Sequence, residues 1–274
     1  MKKPLMMLLG AAMALSFTAG ASTMTLQQAV DNPDRPAAQK TRDQYRHPLE
    51  TLQFFGIKPG MTVVELWPGP QGWYSAILAP YLKDQGHFIA ANFNTQLGAE
   101  PTPTQKYYAK AGKGYEALLE SNKGKWGNVS LAVLAPPEQM QLAPPGSVDA
   151  VLTFRNLHNW HKAGQLKGVF EAAYAALKPG GVFGVVEHRG KAGITEEAMA
   201  ESGYMGEDFV IDLAKQVGFK LDAKSEVNAN PKDDKDHPRG VWTLPPTLAM
   251  GDQDKAKYLA IGESDRMTLK FVKP

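Results

Sequence analysis

The 274-residue sequence contains no cysteine. Disulfides, thiolate metal sites and cysteine nucleophiles are therefore excluded. It also lacks an excess of charge: 30 Lys and Arg stand against 28 Asp and Glu, and two of the lysines are Lys2 and Lys3. The chain beyond them is formally neutral, which gives no electrostatic reason to invoke nucleic acid or anionic lipid as a partner. A membrane-spanning run is missing too. The apolar stretch from Leu5 to Phe17 is too short to cross a bilayer comfortably. With its basic start and the small-x-small triplet Ala19-Gly20-Ala21, it reads as a cleaved secretory signal over 1–21. The expected address is across the inner membrane, in the periplasm, without a stable membrane anchor.

What is present suits one α/β domain with additions. Residues 22–56 are polar, broken by Pro33, Pro36 and Pro48, and read as a loop followed by a helix. Leu49, Leu52 and Phe55 form its stripe and Gly56 ends it. Short apolar runs then alternate with helical segments. Strands are expected at 61–67, 86–93, 128–135, 147–154 and 182–188, and helices at 75–84, 104–122, 163–177 and 195–218. Gly112 and Gly114 weaken the middle of the second helix, and the last breaks near Gly203 to Gly206. Nearly continuous apolar strands separated by helices predict a doubly wound, mostly parallel sheet with both faces covered. Two closing strands are expected at 219–227 and 266–274. Between them, about 228–260, lies a polar, Pro-rich insertion.

Three pieces of this pattern resemble the class I S-adenosylmethionine-dependent methyltransferases: GIKPGMTVVELWPGPQGWYSAILA, GSVDAVLTFRNLHNW and AALKPGGVFGVVEH. The likeness covers about residues 50–220. The segments RDQYRHP, FRNLHNW and SDRMTLKFVKP further resemble a group of exported, methyltransferase-like bacterial proteins. The resemblance implies a seven-stranded-type, Rossmann-like sheet, a methyltransferase-like domain over 57–274, S-adenosylmethionine as cofactor and a small-molecule substrate.

The same residues carry departures from that family. Trp67-Pro68-Gly69-Pro70-Gln71-Gly72 keeps the second and third glycines of a G-x-G-x-x-G loop but has Trp67 for the first. Pro68 biases Trp67 toward extended backbone, so the strand is expected to run through Trp67 and turn at Pro68-Gly69. The indole then points into the cofactor space or packs under the loop. Asn92 ends the second strand where the family places a ribose-binding acid. Glu138 is a displaced candidate for the adenine contact. Glu65 remains beneath the loop as a partner for a cationic ligand.

Catalytic candidates belong on the strand-end loops. After the fourth strand come Arg155, Asn156, His158, Trp160 and His161; after the fifth come Glu187, His188 and Arg189. Three of the six histidines would meet at one rim. His158 or His188 could act as a general base, the three could bind a metal with a carboxylate or water, or they could cap helices. Arg42, Asp43, Arg46 and His47 are expected either to fold over the cleft as a lid or to form a solvated helix start. Asp265-Arg266 is read as the structural start of the last strand. Three readings follow: a methyltransferase, an exported binding protein that keeps the fold without methyl transfer, and a metal-assisted hydrolase.

Overall fold

The computed structural model describes residues 24–274. The expected secretory signal lies outside the described residues. A single seven-stranded sheet runs through the molecule in the order β3-β2-β1-β4-β5-β7-β6. Its strands are β1 (Thr62–Leu66), β2 (His87–Asn92), β3 (Ser130–Val133), β4 (Val148–Phe154), β5 (Leu177–His188), β6 (Lys220–Ser225) and β7 (Arg266–Val272). The first five pair in parallel, and β7 lies antiparallel between β5 and β6. The sheet is the expected one, and its strand order reverses between β1 and β4.

Period-two alternation divides the core into two layers. Val64 and Leu66 of β1 join Val151, Phe170, Phe183 and Leu269 on one side. Val63 joins Leu52, Phe55, Ile77, Leu78 and Ala150 on the other. The second layer also takes in Leu26, Ala29 and Val30. The N-terminal segment is thus packed rather than loose. It forms four short helices, α1 (Leu26–Val30), α2 (Ala37–Lys40), α3 (Asp43–Arg46) and α4 (Pro48–Phe55). Pro48 opens α4 and Gly56 closes it in the left-handed conformation at φ 75°.

Helix α5 (Ser75–Leu82) follows β1, and α6 (Pro103–Trp126) follows β2. A reciprocal Thr102–Gln105 capping box starts α6, which runs unbroken through Gly112 and Gly114. Those glycines do not weaken the helix into two; they let it approach. A Cβ on Gly112 would lie 2.8 Å from Thr95 Cγ2, and one on Gly114 3.2 Å from Pro70 Cβ. The segment after β4, expected as a loop, contains α7 (Leu157–Lys162), followed by α8 (Leu166–Ala176). The region 195–218 breaks where Gly203 and Gly206 stand, into α9 (Glu196–Ser202) and α10 (Glu207–Val217). The insertion is not a plain solvated loop. It holds a 3₁₀ turn at Gly240–Thr243 and α11 (Lys255–Ile261). Buried Asp233 pins it by accepting from the Tyr204 hydroxyl and the Asp265 backbone.

Candidate functional site

In an open parallel sheet the ligand crevice lies beyond the carboxyl ends of the strands, where the strand order reverses. Here that point is flanked by two residues in the left-handed region, Trp67 just after β1 (φ 45°) and Arg155 just after β4 (φ 62°). Neither is glycine, so each is held in place by its surroundings. Asn156 ties the two exits together, donating from Nδ2 to the Leu66 carbonyl at 3.0 Å. The expectation of an extended Trp67 is corrected. Strand β1 stops at Leu66, and tertiary packing overrides the pre-proline bias.

That packing fills one half of the crevice. The Trp67 indole lies 4.5 Å from Phe93, 4.9 Å from Tyr108 and 4.8 Å from Trp160, centroid to centroid. Its Nε1 donates to the Leu134 carbonyl at 2.8 Å. Phe93 follows β2, Leu134 follows β3 and Trp160 lies on α7 after β4, so one buried indole bridges the exits of four strands. Asn92 donates to the Gly112 carbonyl at 3.1 Å. Two buried polar atoms in this half have no partner among the described residues: Asn92 Oδ1 and Trp160 Nε1. The loop glycines differ in duty. A Cβ on Gly69 (φ 72°) would meet nothing within 4 Å, whereas one on Gly72 would lie 2.9 Å from Leu118. Gly69 faces open space and Gly72 admits α6. Glu65 turns beneath the loop, accepting from Ser75 Oγ at 2.6 Å. Burial pushes its carboxyl up to about 8, against the Ser75 hydrogen bond and Arg155. It is therefore largely protonated at neutral pH. Glu138 is exposed in a turn.

The other half is cationic. Arg42 and Arg46 from α3 and its cap, Arg155 after β4 and Arg266 at the start of β7 converge on Glu263. Arg42 Nε donates to it at 2.6 Å and Arg46 Nε at 3.4 Å; Arg155 Nη1 is 3.9 Å away and Arg266 Nη2 also pairs with it. Burial alone would raise the Glu263 carboxyl, but Arg266, Arg46 and Arg155 outweigh it and hold it at about 2. Burial and the neighbouring guanidiniums lower Arg155 to about 10 and Arg46 well below its ordinary value. Asp43 does not join this group; it pairs with buried Arg35 at 2.8 Å. His47 sits between α3 and α4 at φ 39°.

Between the halves stand the histidines. His158 Nδ1 lies 3.1 Å from Glu187 Oε1, and the two rings of His158 and His188 are 5.4 Å apart. Glu187 is fully buried and also accepts the Leu157 and His188 backbone N–H groups. A carboxylate that only accepts makes the His158 Nδ1 the donor and leaves Nε2 to take a proton. His188 Nδ1 meets Ser264 Oγ at 2.5 Å. Burial, His158, Arg266, Arg155 and Arg46 push His188 well below its ordinary value, so this ring is neutral. His161 stands apart, with Nε2 3.1 Å from the Glu196 carbonyl and its ring against Phe209. Arg189 turns to Asp265 and Glu226. His158, Glu187 and His188 offer ligand atoms within 4.8 Å of one another. Engaged Nδ1 atoms would leave Nε2 to a metal, but the arginines that disfavour a proton on His188 disfavour a divalent cation more strongly.

The sequence marked Arg42, Arg46, Arg155 and the two histidines but missed Glu263 and the part played by Arg266. Glu187 was visible as the neighbour of His188; Glu263 had no signal, since it lies in a tail with no local pattern. A cavity of about 750 Å³ runs along α8, lined by Pro136, Met140, Leu142, Gly168 and Ala172. It is apolar and shares no side chain with either half, so the chemistry places the site at the strand ends.

No family model matches the chain, and no curated protein matches it in sequence. Solved structures do. A methyltransferase of Aquifex aeolicus described as S-adenosylmethionine-dependent aligns at TM-score 0.52 and 15% identity, over 91% of this chain and 99% of its own. The [4+2]-cyclase SpnF aligns at TM-score 0.56 and 15% identity, over 91% and 92%. Phosphoethanolamine N-methyltransferase 2 of Haemonchus contortus, in complex with S-adenosyl-L-methionine, aligns at TM-score 0.51 and 16% identity, over 91% of this chain and 60% of its own. The fold is that of these methyltransferases. At such identities the likeness extends to the fold, and the cyclase shows that the fold also serves other chemistry.

The residues can be tested against that cofactor. Gly69 leaves space at the loop, and the unpartnered Asn92 Oδ1 and Trp160 Nε1 offer an acceptor and a donor at the nucleoside end. They fit the group; the Trp67 indole, packed against Phe93 and Trp160, is the neighbouring side chain that a bound nucleoside would contact.

Proposed function

We propose that this protein is an S-adenosylmethionine-dependent methyltransferase acting on a small molecule. The observation that carries this reading is the His158–Glu187 pair, a buried imidazole held by a carboxylate just beyond the ends of β4 and β5. Gly69, Asn92, Trp160 and Asn156 would hold the cofactor, which supplies an electrophilic methyl group when bound. This chain's residues supply the rest. Glu187 orients His158, and His158 Nε2 removes the proton from the accepting oxygen or nitrogen. Glu187 then stabilises the imidazolium that results. His188 stays neutral and can hydrogen-bond the acceptor without adding charge. The leader-like pattern of residues 1–21 supports an exported, periplasmic protein, which would have to find its cofactor outside the compartment it left.

Trp67 favours a second reading: a small-molecule-binding protein that keeps the fold without methyl transfer. Calorimetric titration of wild type and Trp67→Ala with S-adenosylmethionine and S-adenosylhomocysteine separates them. The methyltransferase reading expects binding in both, tighter in the variant. A folded Trp67→Ala protein that binds neither compound would sink it and leave the second reading standing.

A further inference from the structure

The cationic half carries an imbalance that the proton-transfer chemistry does not use. Four guanidiniums share one carboxylate, with Glu263 as their common partner. The nearby carboxylates are engaged elsewhere. Asp265 pairs with Arg189 and Lys235, Asp43 with Arg35, and Glu187 with His158. Glu65 is uncharged near neutral pH. The cluster therefore holds more guanidinium than carboxylate in a largely buried place, and burial together with that crowding is what lowers Arg155 and Arg46. Its hydrogen bonding is also incomplete. Arg42 Nη2 and Arg266 Nε are buried with no acceptor among the described residues. Arg155 makes no closer ion pair than the 3.9 Å approach to Glu263. Buried donors in this condition are costly unless something accepts from them.

The cluster is also reachable. Arg266 and Arg46 are nearly inaccessible, but the side chains of Arg42 and Arg155 keep 22% and 23% of their exposure. Arg155 is held in the left-handed region to bring its guanidinium here. Backbone strain of this kind is found where surrounding structure maintains a geometry for use. The arrangement is two partly exposed arginine side chains over two buried ones, next to the neutral His188.

We infer that Arg42, Arg155 and Arg266 form a binding site for an oxyanion, a carboxylate or phosphate group of a small-molecule ligand. Guanidinium is suited to both, because its planar fork matches two oxygens at once. The site lies beside His158 and His188. On the methyltransferase reading, on which this last step alone rests, it anchors the acceptor by its anionic end and turns its nucleophile toward His158.

The test needs no methyl donor. Wild-type protein is titrated with inorganic phosphate and separately with acetate, at constant ionic strength in chloride, and followed by calorimetry and by the melting temperature. Saturable binding in the range of roughly 0.1–10 mM is expected, as suits a small fragment of a ligand. Arg155→Gln, which removes no fold-holding hydrogen bond, should weaken it at least about tenfold, the loss of one charge-assisted contact. Arg42→Gln should weaken it similarly. Phosphate alone saturating would mark a phosphate ester, and acetate competing with it a carboxylate; either supports the site. No saturation by either anion would overturn it. So would anion binding unchanged in both variants, or a rise in the melting temperature of Arg155→Gln with no anion dependence in wild type. A failed cofactor titration leaves these results untouched, and a failed anion titration leaves the cofactor result untouched.

Discussion

The two halves of the strand-end crevice are built on one sheet and meet at one switch point, yet they are opposites. Over β1, β2 and β3, Trp67, Phe93, Tyr108 and Trp160 form a packed aromatic wall, and the indole N–H is satisfied by Leu134. Around β4, β5 and β7, four arginines share the single carboxylate of Glu263 beside two histidines, and Arg42 Nη2 and Arg266 Nε have no acceptor among the described residues. One half has supplied its own occupant; the other is short of one. The difference teaches where a ligand must do work. On the methyltransferase reading it meets the Trp67 indole at the aromatic end, and at the cationic end it relieves repulsion and completes hydrogen bonds. Binding at the second end can therefore be strong with no rearrangement, while binding at the first is taxed if Trp67 has to move.

The largest effect is expected at the border of the halves. Glu187→Gln keeps the side chain's size but removes the negative charge and one of the two oxygens that accept from His158, Leu157 and His188. Turnover should fall about a thousandfold, the range of a lost, positioned proton acceptor. The His158 ring should also change tautomer, visible in its nitrogen chemical shifts. An unchanged turnover would remove His158 from the chemistry and leave the cationic half as a binding surface only.

The halves should next separate by pH, with opposite signs. Under the loop, the folded Glu65 carboxyl titrates near 8 because it is buried, above its ordinary 4.5. Its contribution is intact below pH 4.5 and is lost as pH rises through 8. Glu263 is held near 2 against an ordinary 4.5, because its guanidinium partners outweigh its burial. Its contribution is present above pH 4.5 and is lost as pH falls toward 2. Denaturant unfolding should show Glu65→Gln nearly equal to wild type at pH 4 and more stable by about 5 kcal/mol at pH 9. Glu263→Gln should be less stable by about 3 kcal/mol at pH 7, the gap narrowing in acid. Matching pH trends in the two variants would contradict the contrast.

Trp67→Ala addresses the aromatic half directly. Moving the indole out gives up burial and one hydrogen bond, about 3 kcal/mol, so the variant should bind S-adenosylmethionine roughly a hundredfold more tightly than wild type. Equal affinities would mean that the indole does not stand in the nucleoside's way.

The frame of this contrast could be read from the sequence, but the contrast itself could not, for definite reasons. The strands, the Gly69–Gly72 loop and the ends of α4 were legible because apolar runs and Gly or Pro punctuation are local signals. The path of Trp67 was not, since Pro68 argued for an extended backbone and only contacts from β2, β3, α6 and α7 hold it at φ 45°. Arg42, Arg46 and Arg155 were singled out as separate candidates. Nothing local says that they share a carboxylate 221 residues from Arg42. Arg266 looked structural because it begins β7, which it does; its guanidinium nevertheless completes the cluster.

The smallest effect tests the histidine rim. His158 and His161 are three apart and, as a loop pair, could both have faced His188. On α7 they stand one turn apart, yet they take different partners. His158 is buried against Glu187, while His161 turns to the Glu196 carbonyl and the edge of Phe209. His161→Ala should then cost under about 0.5 kcal/mol and leave anion and cofactor affinities unchanged, as expected for a partly exposed contact away from the site. His158→Ala should abolish proton transfer while anion binding at Arg155 persists. Equal losses in the two variants would restore the three-histidine rim. Such a result would also shift the border between the halves from Glu187 toward α9, because Glu196 would then be positioning a working imidazole.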